Sequence, residues 1–182
     1  MSNCASVALK GIPRDCASSV GGINRVAIAN YSDVTTVTLS TGSADKGAEI
    51  TQIELNPEAK WNFYHFRKGS SSLTETLNID QATGLNYVSS ELVMTFARME
   101  SAKRAEISAL ALNEIVVVVE DSNKQYHYLG YSEPVAASAG TGQTGQAKGD
   151  ANNYSITLQD DSETFPYLLS SECAGTVFAT DN

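Results

Sequence analysis

Side chains that could do chemistry are few and widely spaced in this 182-residue chain. Its two histidines, His65 and His127, each lie in a short aromatic stretch that is typical of a β-strand. A hydrolase triad requires a histidine that an acid orients and that touches a nucleophile, so packed or edge histidines are the favoured interpretation. The three cysteines, Cys4, Cys16 and Cys173, form no C-x-x-C pair, and no H-x-x-x-H spacing occurs. We therefore expect no catalytic residue and no metal site.

Residues 140–145 match the G-x-G-x-x-G pattern of dinucleotide-binding loops. That pattern binds a pyrophosphate only where a strand precedes it and a helix N-terminus follows it. Here a predicted strand follows, so the sequence favours a loop that is flexible or that a partner orders. Paired carboxylates on strands could in principle cleave glycosidic bonds, but acidic residues on strands more often form a solvated face. We therefore predict that the protein is not an enzyme and that it binds no cofactor.

The charge balance disfavours tight binding to nucleic acid. The chain has 12 Lys and Arg residues against 21 Asp and Glu residues, which gives a net charge of −9. Neutralising many phosphates would need a segregated basic face, and the longest basic runs, at residues 67–68 and 103–104, are short. An acidic surface instead repels DNA, which matters if DNA must slide past without sticking.

The sequence also predicts where the protein is made. Its first ten residues lack the basic and apolar regions of a signal peptide. No stretch approaches the roughly 18 apolar residues of a membrane span. Cysteines without regular pairing favour a reducing compartment during synthesis. We therefore expect synthesis in a cytoplasm and no membrane partner.

The hydrophobic pattern predicts strands over most of the chain, with one helix among them. The helix covers residues 101–112, which are rich in Ala, Leu, Lys and Glu, and its apolar stripe is formed by Ile107, Leu110 and Ala111. One helix among many strands indicates a mainly β or α+β fold. The predicted strands are residues 25–30, 34–40, 50–55, 61–66, 73–79, 86–96, 115–119, 125–131 and 154–158.

Two glycine-rich segments, residues 42–47 and 132–152, are predicted as loops, and the second is unusually long. A chain of this length is expected to form one domain. We divide it into an N-terminal arm at residues 1–22, a β domain at residues 23–160 and a C-terminal tail at residues 161–182.

Residues 73–96 predict a hairpin that is longer than an ordinary strand pair and has a glycine in its turn. In its first strand Leu73 and Leu77 share one face, whereas Thr74 and Thr76 share the other. Both faces suit contact with another protein. The long hairpin, the arm and the glycine-rich loop are hard to explain in a monomer, so we predict that a neighbouring subunit completes them.

One part of the sequence resembles a known family. Residues 21–34, preceded by residues 10–16, resemble the opening of a family of virion proteins from phages of Bacteroidetes, crAss-like phages among them. That family is similar to phage tail-tube proteins and tail-tube-like ring proteins. Compatible stretches follow in order at residues 64–68, 73–77, 116–126, 129–131, 145–150 and 154–158.

The resemblance implies an antiparallel β-sandwich or small barrel with one helix packed outside it and a long hairpin. It further implies rings, hexameric or of higher order, whose strands join between subunits into a β-lined channel for DNA. The implied partners are further copies of the chain, other tail or neck proteins of the virion, and DNA that passes without specific binding. The protein would be made in the host cytoplasm and reside in the virion. The family is structural, so it implies no catalytic residue.

Several functions remain open from the sequence. A tail tube or tail hub subunit comes first, and a neck or connector ring between portal and tail would share the same fold. A surface binding module would share the β-rich, Ser- and Thr-rich composition but should carry a signal peptide. A nucleotide-binding enzyme would require the glycine-rich loop to bind phosphate.

Candidate residues follow from these predictions. Residues expected at contacts between subunits lie on the hairpin and in the glycine-rich loop: Leu73, Thr74, Thr76, Leu77, Tyr87, Gly140, Gly142 and Gly145. Residues expected to face the channel are carboxylates on strands or turns: Glu49, Glu54, Glu75, Asp80 and Glu91. Carboxylates repel phosphates and would keep DNA from sticking. The alternative is that they only keep a soluble precursor from associating too early.

Overall fold

The computed structural model describes residues 11–14, 16–40 and 48–181. Cys4, the first part of the arm and the glycine-rich loop at residues 42–47 therefore lie outside the described residues. Every predicted strand and the predicted helix are confirmed, and two further strands and a second helix are present. In chain order the elements are β1 (Ile23–Asn30), a 3-10 turn (Tyr31–Asp33), β2 (Val34–Leu39), β3 (Ile50–Leu55), β4 (Asn62–His65), β5 (Ser72–Asp80), β6 (Leu85–Ala97), α1 (Ser101–Leu112), β7 (Ile115–Asp121), β8 (Tyr126–Leu129), β9 (Ala136–Gln143), β10 (Asn153–Ser162), β11 (Tyr167–Leu168) and α2 (Ser171–Val177).

The first sheet contains β11, β8, β7, β1 and β4 in that order, all antiparallel to their neighbours. β7 lies at its centre and pairs with β1 from Ile23↔Asp121 to Asn30↔Ile115. The first six residues of β7 are buried. Its apolar, β-branched run shows no alternation because both faces of this strand are covered.

The second sheet contains β5, β6, β10 and β9 in that order and is also antiparallel. β5 and β6 pair without interruption from Ser72↔Val93 to Asp80↔Leu85, which confirms the long hairpin. The described strands form open sheets and no closed barrel. The fold is therefore an antiparallel β-sandwich, and the core between its two sheets contains Val26, Ile28, Leu92, Met94, Val117, Val119, Leu129, Ile156 and Leu158.

A third layer covers the other face of the first sheet. β2 and β3 form a two-stranded hairpin in this layer, and α2 lies beside β3. The tail expected at residues 161–182 thus contains β11 and α2, and the latter is part of the folded domain. Its buried side chains follow the helical period, so they share one face: Cys173, Ala174, Val177 and Phe178.

α1 packs beside β9, with Leu110 buried and Ile107 partly buried. Ala111 is exposed, so the apolar stripe of the helix is narrower than expected. The long loop expected at residues 132–152 contains β9, which pairs with β10. Its Ala, Ser and Gly residues have low strand propensity and predict a loop. In the fold, pairing with β10 makes this segment a strand in spite of its composition.

Arg25 on β1 connects the sheet to the C-terminal end of the chain. Its guanidinium donates to the carboxylate of Glu120 and, at 2.6 Å, to that of Asp181. Asp181 also lies 2.9 Å from Nε2 of His65. Burial opposes ionisation of Glu120, but the bonds from Lys124 and Arg25 outweigh it and lower the pKa of this carboxyl. The buried carboxylate is therefore held in its charged form.

Candidate functional site

The second sheet has one face packed into the core and one face turned outward, because side chains alternate along each strand. Leu92 and Leu158 point into the core, so their neighbours along the strand point away from it. We call the surface of the second sheet that points away from the core the outer face. Its polar and charged side chains are Ser72, Thr74, Thr76, Asn78 and Asp80 on β5, Tyr87, Ser89, Glu91 and Thr95 on β6, Asn153, Ser155, Thr157, Gln159 and Asp161 on β10, and Thr141 and Gln143 on β9.

The outer face carries negative charge only. Its charged side chains are Asp80, Glu91 and Asp161, and none of its described strand positions is Lys, Arg or His. At the end of the hairpin, bonds from the Thr83 side chain and the Ala82 backbone lower the pKa of the Asp80 carboxyl. Such a surface offers hydrogen bonds to a passing molecule but no cation to a phosphate.

Three carboxylates thus share this face, and two of them were predicted from the sequence to face a channel. Asp80 and Glu91 were expected to face a channel, and both lie on the outer face. Asp161 was missed because the last long strand was predicted to end at residue 158 and residues 161–182 were assigned to the tail, whereas β10 continues to Ser162. The alternation of Thr157, Gln159 and Asp161 is the signal that could have found it.

The other channel candidates lie elsewhere. Glu75 is on the core-facing side of β5, where its Oε1 lies 3.1 Å from Nδ1 of His127. It is half-buried and paired, so it is not on a solvated face. Glu54 on β3 and Glu49 just before that strand are exposed in the third layer, on the far side of the first sheet.

A polar row crosses the core-facing side of the second sheet. Glu75 opposes Ser90, and Ser90 opposes Asp160 on the next strand. Asp160 accepts a bond from the Gly130 backbone N–H at 3.3 Å, and burial raises the pKa of its carboxyl. The Ser90 hydroxyl is buried and has no hydrogen-bond partner in the described part of the chain. This row separates the core from the outer end of the hairpin.

Beyond the polar row the hairpin continues as an overhang, residues 77–87. Leu77 and Ile79 alternate with Leu73 and therefore point to the same side, but they are 44% and 62% exposed. Leu85 at the turn is half exposed, but it pairs with Asp80 and therefore lies on the outer face. Leu77 and Ile79 form the exposed apolar side of the overhang, and neighbouring exposed apolar side chains are typical of a surface that another protein covers.

The remaining contact candidates on the hairpin are divided between its two sides. Leu73 packs against the core and is only partly exposed. Thr74 and Thr76 are exposed on the outer face, and Tyr87 is half-buried there. Two of these candidates, Leu77 and Tyr87, therefore lie in the overhang, and Leu77 is on its exposed apolar side.

The three glycines expected at subunit contacts have different surroundings. Gly140 and Gly142 lie in β9, whereas Gly145 lies in the turn after it with a φ of +70°. A Cβ added to Gly142 would lie 2.7 Å from Cε1 of Tyr154, whose hydroxyl accepts a bond from Arg104. A Cβ added to Gly140 would meet only a backbone oxygen 3.8 Å away. The glycines at positions 142 and 145 are therefore explained by contacts and backbone geometry within the chain itself.

Replacing Gly142 with Ala is expected to lower the free energy of unfolding by about 1–3 kcal/mol, because the new methyl group would press on the Tyr154 ring. Gly140→Ala is the matched control on the same strand, and its change should stay within about 0.5 kcal/mol. Urea unfolding followed by Trp fluorescence measures both. Equal losses for the two variants would contradict this account of Gly142.

β5 and β9 are the two edges of the second sheet, so each presents backbone groups without a strand partner in the described residues. β5 has 9 residues and β9 has 8, so the two edges match in length. Successive strands of this sheet alternate in direction, so β5 and β9 run opposite ways. Long free edges readily pair with another chain.

Comparison with protein-family models, with curated proteins and with solved structures gave no match. Within residues 11–14, 16–40 and 48–181, no helix is long and apolar enough to cross a membrane. In the same ranges, no group of three or more His, Cys, Asp and Glu side chains could hold a metal ion. The element that follows the G-x-G-x-x-G segment is β10, a strand. The fold and site define a β-sandwich with one acidic polar face, two free edges and an apolar overhang.

Proposed function

We infer that the protein is a structural component of a phage virion, a tail tube or tail hub subunit that assembles into a ring around a channel for DNA. The observation that carries this proposal is the outer face of the second sheet, which bears Asp80, Glu91 and Asp161 and no basic strand residue. The resemblance of residues 21–34 to phage virion proteins supports the same function.

The free edges supply the means of assembly. β9 of one copy pairs with β5 of the next, and the opposite directions of these strands make the new pairing antiparallel, like the rest of the sheet. This contact joins two different surfaces, so it repeats around an axis and closes when the rotation allows. Closure removes every free edge of the second sheet.

The outer faces then form the wall of the channel. Hydroxyl and amide groups keep the wall wetted, and the carboxylates repel phosphate, so DNA slides through without being held. A wall without Lys or Arg releases no counterions on contact with DNA and gains no affinity from them. A neck or connector ring between portal and tail would need the same wall, and the position of the protein in the virion separates the two.

The wall is tested by reversing its charge. Rings carrying Asp80→Lys, Glu91→Lys and Asp161→Lys together are expected to retain double-stranded DNA in a filter-binding assay, with retention that falls steeply as salt rises. Wild-type rings should retain none.

The matched control carries Glu49→Lys, Glu54→Lys and Glu58→Lys, which change the net charge equally on exposed residues outside the outer face. Its rings should behave like the wild type. Equal DNA retention by both triple variants would mean that the outer face does not line the channel. In that case the carboxylates only keep the soluble precursor from associating.

A further inference from the structure

Exposed charges of opposite sign lie at the two ends of the sandwich, where loops of both sheets meet. At one end, the Gly130 N–H, just after β8, donates to Asp160 near the end of β10. At the other end, a recess of about 540 Å³ has His65 of the first sheet and Asn153 of the second in its lining. We call the first of these the acidic end and the second the basic end, after the exposed charges that each carries.

The acidic end carries exposed carboxylates on three different connections. Glu114 lies between α1 and β7, Glu133 lies between β8 and β9, and Glu163 directly follows β10. None of the three has an ion-pair partner among the described residues. The described cation at this end is Lys60, in the loop between β3 and β4. Much of the negative charge of the chain is therefore gathered at one end of the strands.

Exposed aromatic side chains accompany two of these carboxylates. Phe165 is 50% exposed and lies two residues after Glu163, and Tyr131 is 37% exposed and lies two residues before Glu133. The Tyr131 side chain contacts that of Tyr167 edge-on, with 4.8 Å between centroids. The face of an aromatic side chain and a carboxylate both attract Lys and Arg, so this combination favours a basic partner.

The basic end offers such a surface. Arg67 and Lys68 lie in the loop between β4 and β5, and Lys148 lies in the loop between β9 and β10. All three are exposed and have no ion-pair partner in the described part of the chain. The exposed carboxylate of Asp150, beside Lys148, already accepts bonds from two backbone N–H groups of its own loop.

We propose that the acidic end of one copy binds the basic end of a second copy, so that the chain associates end to end with one polarity. Arg67 and Lys68 of one copy lie against Phe165 and Glu163 of the other. The chain itself supplies both surfaces, and they face opposite ways along the strands, so the contact can repeat. Complementary charge favours this order and disfavours contact between like ends.

The inference rests on the proposed function in one respect. Strands that pair side by side around a ring run from one rim of the ring to the other. The acidic and basic ends then form its two rims, and end-to-end contact joins one ring to the next. This contact is independent of the β5 and β9 edges, which join subunits within a ring.

Charge reversal at the two ends tests the contact. The basic-end variant carries Arg67→Glu and Lys68→Glu, and the acidic-end variant carries Glu133→Lys and Glu163→Lys. Each variant alone should form single rings that do not join, because its two ends no longer attract each other. The two variants mixed in equal amounts should join, because intact ends meet intact ends and the reversed ends also attract. Electron microscopy and sedimentation velocity measure the length of the assemblies.

Glu49→Lys with Glu172→Lys is the matched control for the acidic-end variant, since both residues are exposed in the third layer and the charge changes equally. Its rings should join as wild-type rings do. Joining by either reversed variant alone, or failure of the mixture to join, overturns the inference. Wild-type rings that stay single overturn it as well but leave the ring proposal intact. A wild-type chain that forms no rings overturns both.

The aromatic part of the contact is tested separately. Phe165→Ser is expected to weaken the association between rings about tenfold, because the aromatic side chain no longer packs on the cations of the next copy. Formation of single rings should not change, since Phe165 lies on neither edge of the second sheet. Unchanged association between rings, or loss of the single rings themselves, would contradict the place of Phe165 in this contact.

Discussion

Rings are expected to be lost when Leu77 and Ile79 are both replaced by Asp, while the monomer stays folded. Both side chains are largely exposed on the overhang, so charge there costs the monomer little. The proposed ring covers the same positions, so each of its interfaces would lose about 1.5–3 kcal/mol per apolar side chain and gain a buried charge. Size-exclusion chromatography with light scattering measures the loss, and circular dichroism checks the fold.

Leu112→Asp is the matched control, because Leu112 at the end of α1 is also exposed but lies outside the hairpin. Its rings should persist. A second variant replaces residues 81–85 with a two-residue turn, which shortens the overhang without adding charge. It too should yield folded monomers. Loss of the fold in either hairpin variant would place the overhang in the core and contradict its role in assembly.

The largest effect on stability is expected for Arg25→Ala, with a loss of about 3–5 kcal/mol in the free energy of unfolding. Glu120 is 1% exposed, and removal of its Arg25 partner leaves a buried carboxylate with less compensation. Lys124 also contacts Glu120 but is 69% exposed, so Lys124→Ala is the control with an expected loss of about 1 kcal/mol or less. Denaturant unfolding at neutral pH compares the two, and equal losses would contradict this account.

The same carboxylate predicts an acid dependence. The pKa of Glu120 is lowered from its ordinary value of 4.5, so the folded state binds a proton less readily than the unfolded chain. Its contribution to stability is therefore complete above pH 4.5 and is lost as the pH falls through the lowered pKa. The Arg25→Ala variant should lose less stability over this acid range than the wild type does.

The fold could be predicted from the sequence wherever local pattern and tertiary role agree. The uninterrupted run at residues 115–119 predicts a strand covered on both faces, and β7 is the buried centre of the first sheet. The hairpin of β5 and β6 follows from alternation and a glycine in the turn, whose Gly84 has a φ of +74°. In these segments the local pattern of apolar and turn residues is sufficient to predict the structure.

The two misread segments owe their structure to neighbours. β9 has the composition of a loop, and it is a strand because β10 supplies its partner groups and the Tyr154 ring leaves no room for a side chain at Gly142. α2 has 7 residues and would be only marginally stable as an isolated helix. It is stabilised because its apolar face packs against the first sheet. Such dependence on tertiary contacts leaves little signal in local sequence.

The candidate site was predictable in part. Alternation identified the hairpin, but it did not distinguish Asp80 and Glu91, which lie on the outward side, from Glu75, which lies on the core-facing side. That distinction depends on which sheet packs against which face, and the sequence does not encode it locally. Asp161 joins the outer face only because β10 lies beside β6.

Electron microscopy of the purified protein at high concentration, and of the virion, would show whether the chain forms rings around a channel. We expect closed rings whose channel wall is the outer face of the second sheet, with Asp80, Glu91 and Asp161 lining it. A chain that stays monomeric at every concentration and is absent from virions would contradict the claim. So would rings whose channel wall carries mostly Lys and Arg, or rings that turn these three carboxylates to their outer surface.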